Sequence, residues 1–316
     1  MKEKISVVLP IYRSQDYILD CLKSIVGQTY PPYELILVSD GCLDKSVEIA
    51  RRFLNTTSVN FKIIEQTNQG VSSARNNGIS HASGDWVIAI DSDDCIYPRT
   101  FELLMSNVKD EEVLTIDYET NRDMADEPVV EGTDIETLDS KFVLSKFYNR
   151  EYKLVSPALM LKKSFLVDNA ITYDVGCKFA EDDIYVWKVL CRANKILYIR
   201  KPLYNYIFHG ESTMTSPNIN KFLSVKVYSE NLDRDYLQSL QSSDNLKHKI
   251  LYRHYIGLLH AAAKIQSYPE FKSLIDHYEM KELFINRKSY YNISTKLFFS
   301  LPLTCPYLLY IFFKVR

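Results

Sequence analysis

Residues 83–94 read SGDWVIAIDSDD, and this stretch decides the fold. Residues 86–90, Trp-Val-Ile-Ala-Ile, form a short apolar run rich in β-branched and aromatic side chains. Ser83 and Gly84 punctuate its start, so it reads as a buried strand. Asp91, Ser92, Asp93 and Asp94 then emerge at its C-terminal end, where open α/β sheets place their ligands. Asp91 and Asp93 project into one small volume, and clustered carboxylates repel unless a cation or several donors offset the charge. Hard divalent ions take oxygen ligands, and Mg2+ is often held by one or two carboxylates plus substrate phosphates. One reading is therefore a metal–diphosphate site. The plainer one is a carboxylate-rich turn in which Asp94 or Ser92 caps the next helix.

On the N-terminal side, strand and helix patterns alternate. Residues 5–9 read as a strand. Ile18, Leu22 and Ile25 recur at helical spacing, with Ser14 or Asp16 as candidate N-cap. Residues 35–38 form a second strand, 46–54 a helix, 61–65 a third strand, and 70–80 a loop opening into a helix. Such alternation implies βαβ units and a parallel sheet. Further on, 98–108 reads as a helix, 113–116 as a strand, and the acidic stretch 119–139 as a surface loop. Residues 158–161, 196–199 and 204–208 are later strands. Ile184, Trp187 and Leu190 mark one face of a helix starting near Glu181. The expected fold class is α/β, a mainly parallel central sheet flanked by helices. From about residue 218 the pattern is helical, over 222–240, 246–265 and 270–284. The expected division is a domain at 1–216 and a helical C-terminal segment at 217–316.

A chain of 316 residues with 46% hydrophobic content is long enough for a large α/β domain and an appended segment. A net charge of -2 gives no reason to expect a nucleic-acid partner. The six cysteines, Cys21, Cys42, Cys95, Cys177, Cys191 and Cys305, form no Cys-x-x-Cys pair, so no zinc module is indicated and free thiols in a reducing cytoplasm are the simpler reading. The N-terminus runs directly into a strand, so no signal peptide is expected. The tail is uncharged over residues 297–313, LFFSLPLTCPYLLYIFF, with Arg287, Lys288, Lys296, Lys314 and Arg316 around it. Pro302 and Pro306 break it as a spanning helix. It is expected to contact a membrane peripherally, placing the protein in the cytoplasm at the inner face of the cell membrane. A terminal helix packed on the protein's own core is the alternative.

Two further groups reach the same sheet edge. Tyr12 follows the first strand, and Asp40, in Ser39-Asp40-Gly41, ends the second. A ring can stack on a base and a carboxylate can accept from a base N–H. Singly, each is better read as a core tyrosine and a turn aspartate. Together with Arg75 and the cluster at 91–94, they converge on one edge as a nucleotide site.

The strings VVLPIYRSQDYILDCLKSIVGQTYPPYELILVSDG (7–41) and NQGVSSARNNGISHASGDWVIAIDSDD (68–94) resemble the nucleotide-sugar half of family 2 glycosyltransferases, which have a GT-A fold. The resemblance continues more weakly through FAEDDIYVWKVL (179–190) to YNYIFHGEST (204–213). It implies that Pro10 and Tyr12 line a uracil pocket, that Asp40 bonds the base, and that Arg75 sits by the nucleotide or supports the metal-site loop. It implies that Asp91 faces ribose and metal, that Asp93 ligates Mn2+ or Mg2+, and that Asp182, beside Glu181, is the catalytic base. His209 is implied as a cover for the diphosphate or a further metal ligand. One departure is Ser39, where the family commonly has a second aspartate.

The chemistry suits these residue types. Displacing a nucleoside diphosphate builds negative charge on the leaving oxygen, which a divalent ion stabilises. The attacking alcohol needs a carboxylate to take its proton, and a base opposite the leaving group gives inversion. Asp182 also suits the first turn of a helix on electrostatic grounds alone. The expected function is an inverting, metal-dependent transfer from a nucleotide-sugar, expected to be a UDP-sugar, to a glycan or lipid-linked glycan in cell-surface polysaccharide synthesis. The rivals are a nucleotidyltransferase and a non-catalytic nucleotide-sugar-binding protein. The first expects a glycine-rich phosphate loop after the first strand, where this chain has PIYRSQDY. A dinucleotide-dependent oxidoreductase lacks its glycine fingerprint in the same way.

Overall fold

A computed structural model of the chain describes residues 2–121, 126–148, 151–176 and 181–207, with isolated positions 263, 267–269, 272, 307 and 311. The chain divides into two compact units, Met1–Ser212 and Thr213–Arg316. The helices expected beyond residue 218, the membrane-contacting tail and His209 lie outside the described residues.

The first unit begins β1 (Ile5–Ile11), α1 (Ile18–Val26), β2 (Glu34–Asp40), α2 (Ser46–Leu54), β3 (Phe61–Gln66), α3 (Val71–His81) and β4 (Trp86–Ala89). It continues β5 (Cys95–Ile96), α4 (Thr100–Asn107), β6 (Val113–Asn121), β7 (Ile135–Asp139), α5 (Ser140–Tyr148), β8 (Leu159–Lys162), α6 (Lys163–Asp168), α7 (Glu181–Arg192) and β9 (Lys195–Ile207). The strands form one mixed sheet in the order β3-β2-β1-β4-β8-β6-β9-β5, with β7 also on β9. The β3-β2-β1-β4 part is parallel, as the βαβ pattern requires. β8 joins antiparallel to both β4 and β6, and β6 returns parallel to β9.

Central strands of such a sheet are buried on both faces, which is why β1 and β2 carry the continuous apolar runs at 7–11 and 35–38. Ile5, Val7, Leu9 and Ile11 meet Leu22 and Ile25 of α1 in the main core. On the opposite face α3 lies directly against the sheet. A Cβ placed on Gly78 would stand 2.3 Å from Val8 Cγ1 and 3.2 Å from Val38 Cγ2. Glycine at this position lets the helix approach the strands, and so sets the height of Arg75, one turn earlier on the same face.

Several expectations change. The stretch 119–139 is not simply a surface loop: it holds the end of β6, a 3-10 turn at Gly132–Asp134 and β7, which pairs antiparallel with β9. β7 reads IETLD and is part-exposed throughout, so its charged side chains hide an edge strand. The two strands expected at 196–199 and 204–208 are one strand, β9. Its pairing with β6 slips between Ile116 and Tyr118, where β9 carries the extra residues around Pro202. Neither Ser14 nor Asp16 caps α1 through its side chain.

Candidate active site

The C-terminal ends of β1, β2 and β4, with the first turns of α3 and α7, enclose the site. At its centre is Arg75 on α3, 2% exposed. Its Nη2 donates to Asp91 Oδ1 at 2.7 Å and its Nη1 to Asp182 Oδ1 at 2.8 Å. Asp91 follows the β4 run; Asp182 lies in the first turn of α7. Arg75 thus joins two carboxylates contributed by distant parts of the chain. Burial works against the guanidinium's charge, but Asp182 and Asp91 hold it firmly protonated. Its Cζ also lies 5.0 Å from the centre of the Tyr173 ring.

The carboxylates differ in environment. Burial pushes Asp91 up to about 6, against the pull of Arg75, with Asp182 and Asp93 adding to the rise. Glu181 is pushed up to about 7 by burial and by neighbouring Asp182. Asp94 is only 1% exposed and is pushed up to about 8 by burial and by the charges of Asp91 and Asp93. Asp94 caps no helix. It accepts from the Tyr204 hydroxyl and from the Ile207 amide at 3.0 Å, and so fastens the end of β9 to the acidic turn. Ser92 is no cap either; its hydroxyl pairs with that of Ser14. The Ser14 amide in turn donates to Ser46 Oγ at 2.9 Å. That chain ties the segment carrying Tyr12 to the turn carrying Asp91 and Asp93.

The nucleotide side is more varied. Pro10 is buried in β1 opposite Val38 of β2. Tyr12 is 46% exposed at the end of β1, with the Arg13 guanidinium 5.2 Å from its ring centre. Asp40 is 3% exposed. Its Oδ1 accepts from Gln66 Nε2 at 2.9 Å and from the Gln69 amide at 2.8 Å, and its Oδ2 from the Gly70 amide at 2.8 Å. Its carboxylate therefore shapes the turn that starts α3, where Gly70 has φ 89°.

For a divalent ion, Asp91 and Asp93 supply hard oxygens in a turn with excess negative charge, which suits one or two carboxylates completed by phosphate oxygens. No group of three metal-ligating side chains comes together among the described residues. A wholly protein-made cage is therefore not what these residues offer.

Sequence reasoning missed Ser156 and Tyr173. The Ser156 hydroxyl donates to Asp182 Oδ1, and the Tyr173 hydroxyl donates to Ser156 Oγ at 3.1 Å. Neither sits in a charged motif; a serine before a proline and a tyrosine in an irregular stretch carry no signal of their own.

The site is thus a buried guanidinium bridging two carboxylates, with further acidic residues around it, at the strand ends of an α/β sheet. The Glycosyl transferase family 2 profile matches residues 6–157. Glycosyltransferase GlyG of Streptococcus pneumoniae serotype 4 is 32% identical over 228 residues, covering 68% of this chain and 74% of GlyG. The uncharacterized glycosyltransferase YibD of Escherichia coli K12 is 26% identical over 278 residues, 83% of this chain and 80% of YibD. The chain spans only 30% of the longer GlyA of S. pneumoniae. Among solved structures, S. aureus TarS 1-349 in complex with UDP superimposes with a TM-score of 0.69 at 20% identity, over 99% of this chain and 90% of that one. The same TarS segment with UDP-GlcNAc gives 0.66 at 19% identity, with the same coverage. The chain belongs to glycosyltransferase family 2 and is a glycosyltransferase with the GT-A fold. That membership sets aside both the nucleotidyltransferase and the non-catalytic reading.

Proposed function

We propose that this enzyme transfers a sugar from a UDP-sugar to an acceptor hydroxyl with inversion, using Asp182 as the base. The observation that carries this reading is the pairing of Asp182 with Asp91 across Arg75. Asp182 is 37% exposed, and both hydrogen bonds it accepts among the described residues end on Oδ1. Oδ2 is the oxygen left to take a proton. The acceptor oxygen attacks the anomeric carbon, the bond from that carbon to the diphosphate breaks, and UDP leaves with the electron pair. The acceptor's proton goes to Asp182 Oδ2. Arg75 holds the base and Asp91 at fixed separation while charge moves away from the sugar.

Tyr12 and Pro10 line the base end of the donor site. Asp40 acts there through the 68–70 turn. Asp91 and Asp93 are the residues that would hold Mn2+ or Mg2+ beside the donor diphosphate, where such an ion would supply charge stabilisation to the departing phosphate. Solved TarS complexes that contain UDP and UDP-GlcNAc support a UDP-linked donor.

For the acceptor we favour a lipid-linked glycan or polyol polymer at the inner face of the membrane. Relatives include a poly(ribitol-phosphate) beta-glucosyltransferase of Bacillus spizizenii, 31% identical over 202 residues. The uncharged run at 297–313 is the segment expected to hold the enzyme there. No helix among the described residues is long and apolar enough to cross a membrane.

The test is Asp182→Asn. Turnover should fall at least about a hundredfold, the ordinary worth of a general base, with UDP affinity unchanged. Near-normal turnover would move the base to Glu181 or Asp183.

A further inference from the structure

We propose that Ser156 and Tyr173 form a hydroxyl relay that positions Asp182, fixing which of its oxygens receives the acceptor's proton. The inference rests on Asp182 being the base. Ser156 opens a 3-10 turn at Ser156–Ala158 and is 1% exposed. Its one hydroxyl proton is committed to Asp182 Oδ1, because its oxygen accepts from the Tyr173 hydroxyl. A serine hydroxyl carries a single proton and the carboxylate can only accept it, so the chain runs from Tyr173 through Ser156 to Asp182.

Tyr173 is itself held from three sides. Its ring stacks on that of Tyr185, centroids 3.7 Å apart at an interplanar angle of 3°. Tyr185 lies on α7, three residues after Asp182, on the same helix face. The Tyr173 backbone amide donates to Asn76 Oδ1 at 2.9 Å, and its carbonyl accepts from Asn76 Nδ2 at 2.8 Å. Asn76 is the neighbour of Arg75 on α3. The two donors that reach Asp182, Arg75 and Ser156, are thus braced by one shared tyrosine.

A carboxylate turns easily about its final torsion, which is broad and roughly two-fold. Two donors converging on Oδ1 remove that freedom. What they contribute is orientation, and a small misplacement of a reacting group can cost about a hundredfold in rate. When Asp182 is protonated on Oδ2, Oδ1 keeps both of its donors, so the relay need not rearrange during turnover. The other charged groups around Asp182 are Asp91 at the end of β4 and Glu181 and Asp183 on α7 itself.

The test uses the full-length enzyme and the fastest donor among UDP-glucose, UDP-galactose and UDP-N-acetylglucosamine, with UDP release followed to single turnover. Ser156→Ala should lower kcat about 10- to 100-fold while KM for the donor and calorimetric UDP affinity stay within about twofold. Tyr173→Phe keeps the stacked ring and removes only the hydroxyl. It should lower kcat less, about 3- to 10-fold, again with KM unmoved. In an Asp182→Asn background, Ser156→Ala should cost nothing further, since the residue acts through Asp182. Equal fold losses in both backgrounds, or wild-type kcat in Ser156→Ala, would overturn the relay. Should Ser156→Ala fail to fold by thermal melting, Tyr173→Phe decides alone, and unchanged kcat there overturns it. Near-normal turnover in Asp182→Asn would instead remove the base assignment on which the relay depends.

Discussion

Asp91 and Asp182 are bound by two nitrogens of one guanidinium, that of Arg75, at 2.7 and 2.8 Å. One follows β4 and the other, in the first turn of α7, is the proposed base. Their relative placement is therefore fixed by a single buried side chain rather than by the loops between them.

Arg75→Met should destabilise the protein by about 3 kcal/mol, the low end for an orphaned ion pair, because Asp182 is 37% exposed and partly solvated. Arg75→Lys keeps the charge but presents one ammonium in place of a planar fork, so it should fold and still lose most turnover. Urea titration and UDP-release assays measure the two effects separately. Full activity in the lysine variant would show that charge alone suffices.

Asp93→Asn should leave the fold intact and remove most activity. Wild-type UDP binding, measured by calorimetry, should weaken at least about tenfold when Mn2+ is replaced by a chelator, and the variant should lose that difference. Equal affinity with and without the ion would remove the metal from the site.

Gly78→Ala adds a methyl group where Val8 Cγ1 stands 2.3 Å away. Valine has little rotamer freedom with which to yield, so the cost should be about 1–3 kcal/mol. Thermal melting should show a drop of several degrees. Turnover should fall as well, because lifting α3 off the sheet withdraws Arg75. A neutral Gly78→Ala would mean that α3 has room to shift.

Glu181 gives a pH signature. Its carboxyl is held near 7 in the folded protein, above its ordinary 4.5. Between those values the unfolded chain has released a proton that the native state retains, so stability falls as pH rises from about 4.5 to about 7 and levels off beyond. Glu181→Gln should flatten this slope in metal-free melts at pH 5 and pH 7.5. A slope as steep as that of the parent enzyme would assign it to other carboxylates.

The sequence disclosed those parts that follow from periodicity. β1, β2 and β4 are built on short apolar runs, β3 on Phe61, Ile63 and Ile64, and α2 spans Ser46–Leu54, as its spacing predicts. The acidic cluster was visible because carboxylates at a strand end are costly and therefore informative. β7 escaped because an edge strand with charged side chains reads like a loop, and β9 read as two strands because Pro202 sits within a bulge. Asp40 was visible as a residue but not in its work: that its oxygens meet the Gln69 and Gly70 amides depends on a turn only the folded chain forms. Ser156 and Tyr173 belong to the same class, being neutral side chains whose importance lies wholly in what they touch.

The slip in β9 has a consequence for how the family can vary. Which way a strand residue faces is a matter of parity, and the surplus residues around Pro202 set the parity of everything after them. As the chain stands, Tyr204 reaches Asp94, and strand alternation gives the buried Asn205 the other face. Deleting one residue from the bulge would exchange those two and leave Asp94 without its phenol. Substitutions along β9 are graded changes, whereas a single-residue gap there is a switch. Relatives that keep this acidic turn should therefore tolerate gaps at this bulge only in steps of two, and alignments can be read for that rule.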